Sequence, residues 1–249
     1  MNITAIIPAR LKSTRLPEKV LADIGGASML ERVYQLAIST HLFDQVIIAT
    51  DSEKVMLHCI DCNMRVMITS DQHESGTDRI AEVAGMMDSD IVINIQADEP
   101  FLEASALHAL VDLMKQDNVY IGTLTKEISD TAALLDYNTV KLVKDINSRV
   151  LYFSRQAIPA HRDIPYRNWL NHSSYFQHIG VYGFKRGVLL DITSLPPSAL
   201  ESSEKLEQLR WLSNGYDVHA VTVSSKSFGI DTEEDLEKAR TRVLTIGDE

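Results

Sequence analysis

The chain has 249 residues, enough for one large α/β domain or two small ones, and a single domain over 1–249 is the expectation. Its 45% hydrophobic and 24% charged residues are the balance of an ordinary soluble globular protein, not of a disordered or fibrous one. A formal charge of -11 repels a nucleic-acid backbone, and no apolar run reaches the ~20 residues needed to cross a bilayer, so neither nucleic acid nor membrane is expected as a partner. An anionic substrate would have to meet a local basic pocket.

The apolar start at residues 3–8 is followed by Arg10, Lys12 and Arg15, the reverse of the order in a signal peptide. A cytoplasmic, reducing location is therefore expected, where Cys59 and Cys62 need not form a disulfide. Their C-x-x-C spacing raises a redox or zinc role, but zinc needs further ligands and the sequence has no second cysteine pair. Both cysteines fall in a helical stretch, and helix packing is the favoured role.

In chain order, residues 3–8, 45–50, 66–69 and 91–96 read as buried strands, with little polar alternation. Between them, 28–39, 52–63, 78–87 and 104–116 carry apolar residues at helical spacing, and Ser28 and Ser52 suit helix N-caps. The alternation predicts an α/β protein with a mostly parallel central sheet flanked by helices. Gly25-Gly26 is only a turn before a helix. From residue 119 the pattern becomes strand-rich, with strands at 120–128, 140–144, 150–154 and 176–184 and a polar insertion at 161–174. A helix at 200–212, a strand at 217–223 and a charged helix from 232 to about 243 complete the chain.

In an open α/β sheet the ligand crevice lies at the carboxyl ends of the strands, which singles out residues 8–19, 50–51 and 96–99. The loop Pro8-Ala9-Arg10-Leu11-Lys12-Ser13-Thr14-Arg15-Leu16-Pro17-Glu18-Lys19 packs four cations, small residues and two prolines together. Such a loop suits a polyphosphate, whose charges need several cations and exposed amides, although composition alone fits a solvated basic loop equally well. Neither the Walker pattern nor G-x-G-x-x-G occurs, which excludes a P-loop phosphotransferase and a dinucleotide-binding dehydrogenase.

The loop resembles the P-A-R-x-x-S-[TS]-R-[LF]-P-G-K signature of the CMP-Kdo synthetases, which activate 3-deoxy-manno-octulosonate (Kdo) for lipopolysaccharide. Ala49-Thr50-Asp51, Ser75-Gly76-Thr77-Asp78-Arg79, Asn94-Ile95-Gln96-Ala97-Asp98-Glu99-Pro100, Leu151-Tyr152-Phe153-Ser154-Arg155, His178-Ile179-Gly180-Val181-Tyr182, Glu207-Gln208-Leu209-Arg210 and Asp231-Thr232-Glu233-Glu234-Asp235-Leu236 follow in that family's order. The resemblance spans essentially the whole chain. It implies a nucleotide-diphospho-sugar transferase fold, a homodimer with a dimerisation and sugar-binding region near 120–185, and transfer of CMP from CTP to the anomeric hydroxyl of an acidic octulosonate with release of pyrophosphate.

The resemblance further implies Mg2+ held by Asp98 and Asp231, a hard ion suited to carboxylate oxygens. A lone Asp98 could instead merely end a strand, and Asp231 could cap the closing helix or pair with a lysine. Lys19, Arg10, Arg15 and Asp98 are the implied catalytic group. Pro8, Ala9, Arg10, Ser13, Lys19, Thr50, Asp51, Ser75, Gly76, Thr77 and Arg79 would border the nucleotide. The sugar, a carboxylate, would meet Gln96, Arg155, His178, Tyr182, Glu207 and Gln208, although His178, Tyr182 and Gln208 also fit satisfied core polar groups.

Two positions depart from the family's pattern. Glu18 stands where the signature has glycine, which is costly if the backbone there needs a positive φ, and Ala97 replaces the glycine before Asp98. These departures keep open a paralogue that uses another acidic sugar, or a catalytically impaired nucleotide-binding protein.

Overall fold

The structure is a computed structural model that describes residues 1–12, 16–225 and 227–246, with the side chain of residue 246 left aside. The chain forms two compact units, Met1–His108 with Ser225–Glu249, and Ala109–Ser224. In the first, β1 (Ile3–Pro8) is followed by α1 (Met29–Ser39), β2 (Gln45–Thr50), α2 (Glu53–Asp61), β3 (Val66–Ile68), α3 (Gly76–Gly85) and β4 (Ile91–Asn94). The four strands are parallel, with β1 between β2 and β4 and β3 outside β2. All six residues of β1 are buried, which is why it reads as an unbroken apolar run.

The expected caps form: Ser28 Oγ accepts from the Glu31 amide and Ser52 Oγ from the Val55 amide. Helix α3 starts at Gly76, two residues before the expected position. Ser75 and Asp78 cap it reciprocally, and the capping box draws the first turn forward. Strand β4 stops at Asn94 rather than continuing to Gln96.

After α4 (Ala104–Met114) the second unit contains β5 (Ile121–Glu127), α5 (Thr131–Leu135), β6 (Lys141–Lys144), β7 (Val150–Ser154), β8 (Phe176–Lys185), α6 (Arg186–Thr193), α7 (Ala199–Glu204), α8 (Gln208–Ser213) and β9 (Val218–Thr222). Strand β5 lies between antiparallel β8 and parallel β9, and β6 pairs antiparallel with β7 and β8. The insertion at 161–174 is packed: its 3-10 turn Tyr166–Asn171 places Trp169 flat against Tyr175, with ring centroids 6.1 Å apart.

The single helix expected over 200–212 is two. Lys205 takes a left-handed φ of 53° and ends α7, and Arg210 on α8 then forks onto the Glu201 carboxylate at 2.6 and 2.8 Å. The closing helix α9 (Glu233–Ile246) belongs to the first unit.

Candidate active site

The loop after β1 is anchored by Leu16, buried in a cluster with Ile24, Met29, Ile230, Leu236 and Ala239. That cluster ties the loop to the residues around the start of α9. The Ile230 amide donates to the Asp98 carbonyl at 3.0 Å and brings Asp231 beside the turn that follows β4. Between them the Lys19 ammonium donates to Asp98 Oδ2 at 2.7 Å and to Asp231 Oδ1 at 2.9 Å.

The Lys19 side chain is only 12% exposed. Burial alone would lower its pKa. The charge and hydrogen bond of Asp98, joined by those of Asp231, outweigh burial and hold the ammonium above its ordinary range. Asp231 does not cap α9: Thr232 and Asp235 do so reciprocally, with Thr232 Oγ1 accepting from the Asp235 amide and Asp235 Oδ2 accepting from the Thr232 amide. Of the structural roles open to Asp231 from sequence, pairing with a lysine occurs. Two carboxylates aimed at one cation form a hard-oxygen pair that fits a divalent ion such as Mg2+.

Around this triad lie the other ends of the first unit's strands. Pro8 and Ala9 are buried, and the Ala9 amide donates to the Ala49 carbonyl at 2.8 Å. Gly76 brings the start of α3 onto β1: a Cβ there would sit 3.3 Å from Pro8 Cγ and 3.6 Å from Gln96 Nε2. This leaves the amide-rich N-terminus of α3 close to Gln96, whose amide donates to Asn94 Oδ1. Thr77 is buried, and Thr50 Oγ1 accepts from the Ser52 amide.

Arg79 is buried and donates to Thr69 Oγ1 at 2.6 Å, to the Ser70 carbonyl and to Asp51 Oδ2 at 3.0 Å. Asp51 and Arg79 thus lock the ends of β2 and β3 to α3. Arg10 is exposed. Ser13 and Arg15 lie outside the described residues.

Glu18 does adopt the left-handed conformation that favours glycine, with φ 54° and ψ 26°. Its carboxylate turns to Lys54, whose ammonium lies 2.6 and 2.7 Å from its two oxygens, so Lys54 rather than Lys19 offsets its charge. Ala97 is buried.

In the second unit, β8 carries His178 and Tyr182, and Arg155 directly follows β7. Arg155 donates to the carbonyls of Glu204 at 2.7 Å, Tyr137 at 3.0 Å and Lys205 at 3.3 Å, leaving part of its fork for a ligand. Thr123 Oγ1 donates to the Val181 carbonyl at 2.8 Å, so it accepts from His178 Nε2 at 3.0 Å and leaves His178 Nδ1 as an acceptor. Desolvation among Phe153 and Tyr182 pushes the His178 pKa down to about 3, so the ring is neutral.

The Tyr182 hydroxyl is buried with no hydrogen-bond partner among the described residues. Burial, with the nearby Glu207 charge, raises its pKa well above the usual value. An orphaned hydroxyl beside a neutral imidazole acceptor suits a polyhydroxylated ligand. Gln208 is buried at the start of α8. Sequence reasoning missed Lys141, fully buried, whose ammonium donates to the carbonyls of Asp136, Thr139 and Arg155. A lysine on a short strand carries no sign that it faces inward.

A parallel sheet whose strand ends gather a lysine, two carboxylates and a helix N-terminus fits a nucleotidyltransferase of the nucleotide-diphospho-sugar transferase fold. Comparison with known proteins narrows this. Residues 4–239 match the family model described as cytidylyltransferase. A 3-deoxy-manno-octulosonate cytidylyltransferase of Flavobacterium johnsoniae is 43% identical over 251 residues, covering 99% of this chain and 100% of that protein. One from Geobacter sulfurreducens is 42% identical over 248 residues, covering 96% and 98%. The solved structure of CMP:2-keto-3-deoxy-manno-octonic acid synthetase complexed with CTP superposes with a TM-score of 0.92 at 34% identity, covering 98% of this chain and 99% of that one. The chain belongs to the 3-deoxy-manno-octulosonate cytidylyltransferase family.

Proposed function

We propose that the protein transfers CMP from CTP to the anomeric hydroxyl of Kdo, releasing pyrophosphate, as a step of lipopolysaccharide biosynthesis. The observation that carries this reading is the convergence of Asp98 and Asp231 on Lys19 at the strand ends of a chain with the family's full-length pattern. The sugar oxygen attacks the α-phosphorus, the bond from that phosphorus to the oxygen shared with the β-phosphate breaks so that pyrophosphate leaves, and the hydroxyl proton passes to solvent.

Asp98 and Asp231 would hold Mg2+, which supplies charge neutralisation on the attacked and departing oxygens. Lys19 and Arg10 bring positive charge to the triphosphate, with Arg15 and Ser13 assigned there by the family pattern. The amides at the start of α3, where Ser75, Gly76 and Thr77 stand, favour an anionic or polar group of the nucleotide. In the second unit, Arg155 supplies positive charge for the sugar carboxylate, while neutral His178, orphaned Tyr182, Glu207 and Gln208 offer polar partners to its hydroxyls; the family pattern assigns Gln96 to the sugar as well.

The working form is a homodimer built through residues 120–185, a region that leaves Tyr137, Ile146, Leu151 and Tyr166 exposed. Its location is the cytoplasm, where the free thiols of Cys59 and Cys62 are stable. No helix among the described residues is long and apolar enough to cross a membrane.

The test is pyrophosphate release from CTP with Mg2+ and Kdo, each omitted in turn, followed by mass spectrometry of the product formed from Kdo and its amino analogue in competition. Release that needs all three components, with CMP-Kdo as the product, is expected. Turnover without Mg2+, or none with any acidic octulosonate, overturns the reading. Light scattering of the purified protein reports the dimer.

A further inference from the structure

We propose that Glu31, His58 and Cys62 form a binding site for a zinc-type divalent transition-metal ion, clamping α1 to α2 at a place separate from the acidic pair. Cys62 Sγ lies 3.8 Å from His58 Nε2 and 4.0 Å from Glu31 Oε2, and all three donor atoms fall within 4.8 Å of one another. At those separations a thiol, itself a weak donor, makes only poor hydrogen bonds. A tetrahedral zinc centre, with bonds of about 2.3 Å to sulfur and about 2.0 Å to nitrogen or oxygen, sets its sulfur roughly 3.5 Å from each of the other two donors. The metal-free arrangement therefore needs only small side-chain adjustments to close on an ion.

The helices and their caps produce this geometry. Glu31 stands in the first turn of α1, while His58 and Cys62, four residues apart, share one face at the end of α2. Ser28 Oγ accepts the Glu31 amide proton at 3.1 Å, which leaves its own proton for His58 Nε2 at 2.8 Å. Nε2 is the ring nitrogen that both Ser28 Oγ and Cys62 Sγ approach, and metal binding would exchange its serine hydrogen bond for a bond to the ion. Serine oxygen or water can complete the fourth position. His58 also lines an open surface groove with Leu21, Glu53, Lys54, Leu57 and Asp61.

Softness sets the selectivity. A thiolate, an imidazole and one carboxylate prefer zinc and its neighbours over magnesium, which belongs with all-oxygen donors such as Asp98 and Asp231. Cys59, the other half of the C-x-x-C pair, is not among the donors: it is buried, and burial with the neighbouring Cys62 pushes its thiol up to about 12. The ligands that the cysteine spacing could not reveal come from the helix register and from α1.

The test uses the full-length protein, stripped with a chelator and titrated with Co2+ as a spectroscopic probe. A single equivalent should bind with a thiolate-to-cobalt charge-transfer band and tetrahedral visible bands, all lost on adding Zn2+. Cys62→Ser should abolish the charge-transfer band, His58→Gln should weaken cobalt binding about tenfold or more, and Cys59→Ser should retain the band. Circular dichroism verifies that each variant is folded. Zn2+ should also raise the wild-type melting temperature and leave that of Cys62→Ser unmoved. A spectrum without a thiolate band, a band that survives Cys62→Ser, or binding abolished by Asp98→Asn instead overturns the proposal.

Discussion

The Lys19 ammonium lies 2.7 Å from Asp98 Oδ2 although 79 residues separate them in sequence. Lys19 is largely buried while Asp98 and Asp231 are 32% and 45% exposed, so the carboxylates keep a solvent-facing side for a ligand. Asp98→Asn keeps the shape and one hydrogen-bond acceptor but removes the charge. Pyrophosphate release should fall by roughly 100-fold or more, the size of effect seen when one group that stabilises transition-state charge is lost. The melting temperature should fall by only a few degrees, because Asp231 still faces the ammonium. A variant with near-normal turnover would remove Asp98 from the chemistry.

Glu18 shows how a departure from a motif is accommodated. Its left-handed backbone costs about 1–2 kcal/mol for a residue with a Cβ, whereas its pair with Lys54 joins two groups at least half exposed and contributes at most about 1 kcal/mol. Glu18→Ala keeps the strain and loses the pair; Glu18→Gly loses the pair and relieves the strain. Chemical denaturation should find the glycine variant about 1 kcal/mol more stable than the alanine variant. Equal stability would mean that the left-handed conformation costs nothing here.

The buried parallel strands were legible because an apolar run between polar ends has few other interpretations: β1 and β2 fall where the sequence places them. The break between α7 and α8 was not legible, because Lys205 holds a left-handed φ without the glycine that would announce it. The motifs identified the chemistry-bearing residues, but not which of them the fold would occupy. Arg79 and Arg155 look alike in sequence as free cations. Only the structure shows Arg79 buried against Asp51 and Arg155 holding three carbonyls, because those partners come from segments far along the chain.

His178 should leave a signature in the acid stability profile. Desolvation lowers its folded pKa from 6.5 to about 3, so the unfolded chain binds the extra proton between those values. Stability is therefore fully present above pH 6.5 and falls as the pH drops towards 3. The carboxylates held low in the folded state, Glu82 and Glu201 among them, start from an ordinary value of 4.5, so between 6.5 and 4.5 the histidine supplies most of the slope and they join only towards its lower end. Across it the wild type should lose on the order of 2 kcal/mol, the partly open ring face limiting the full linkage. In His178→Gln that slope should flatten, as urea denaturation at several pH values would show. An unchanged slope would place the proton uptake elsewhere.

Lys141 is the least expected charge in the molecule: it is 0% exposed, with its ammonium 2.8 Å from the Asp136 carbonyl, 2.6 Å from the Thr139 carbonyl and donating also to that of Arg155. Burial lowers its pKa and Arg155 adds to the shift, while Asp136 and Glu204 oppose it. The three carbonyls come from the turn before β6 and the end of β7, so one side chain fixes two segments that border Arg155. Lys141→Met fills much of the same volume but leaves those carbonyls without their donor. The cost of stranding buried acceptors outweighs the gain from no longer burying a charge, because each acceptor is worth about 1–3 kcal/mol and only one charge is removed. Lys141→Met should lose about 2–4 kcal/mol of stability, which lowers the melting temperature by roughly 5–10 °C for a chain of this size. A methionine variant as stable as the wild type would show that the turn can satisfy its carbonyls with water and that Lys141 does not hold it.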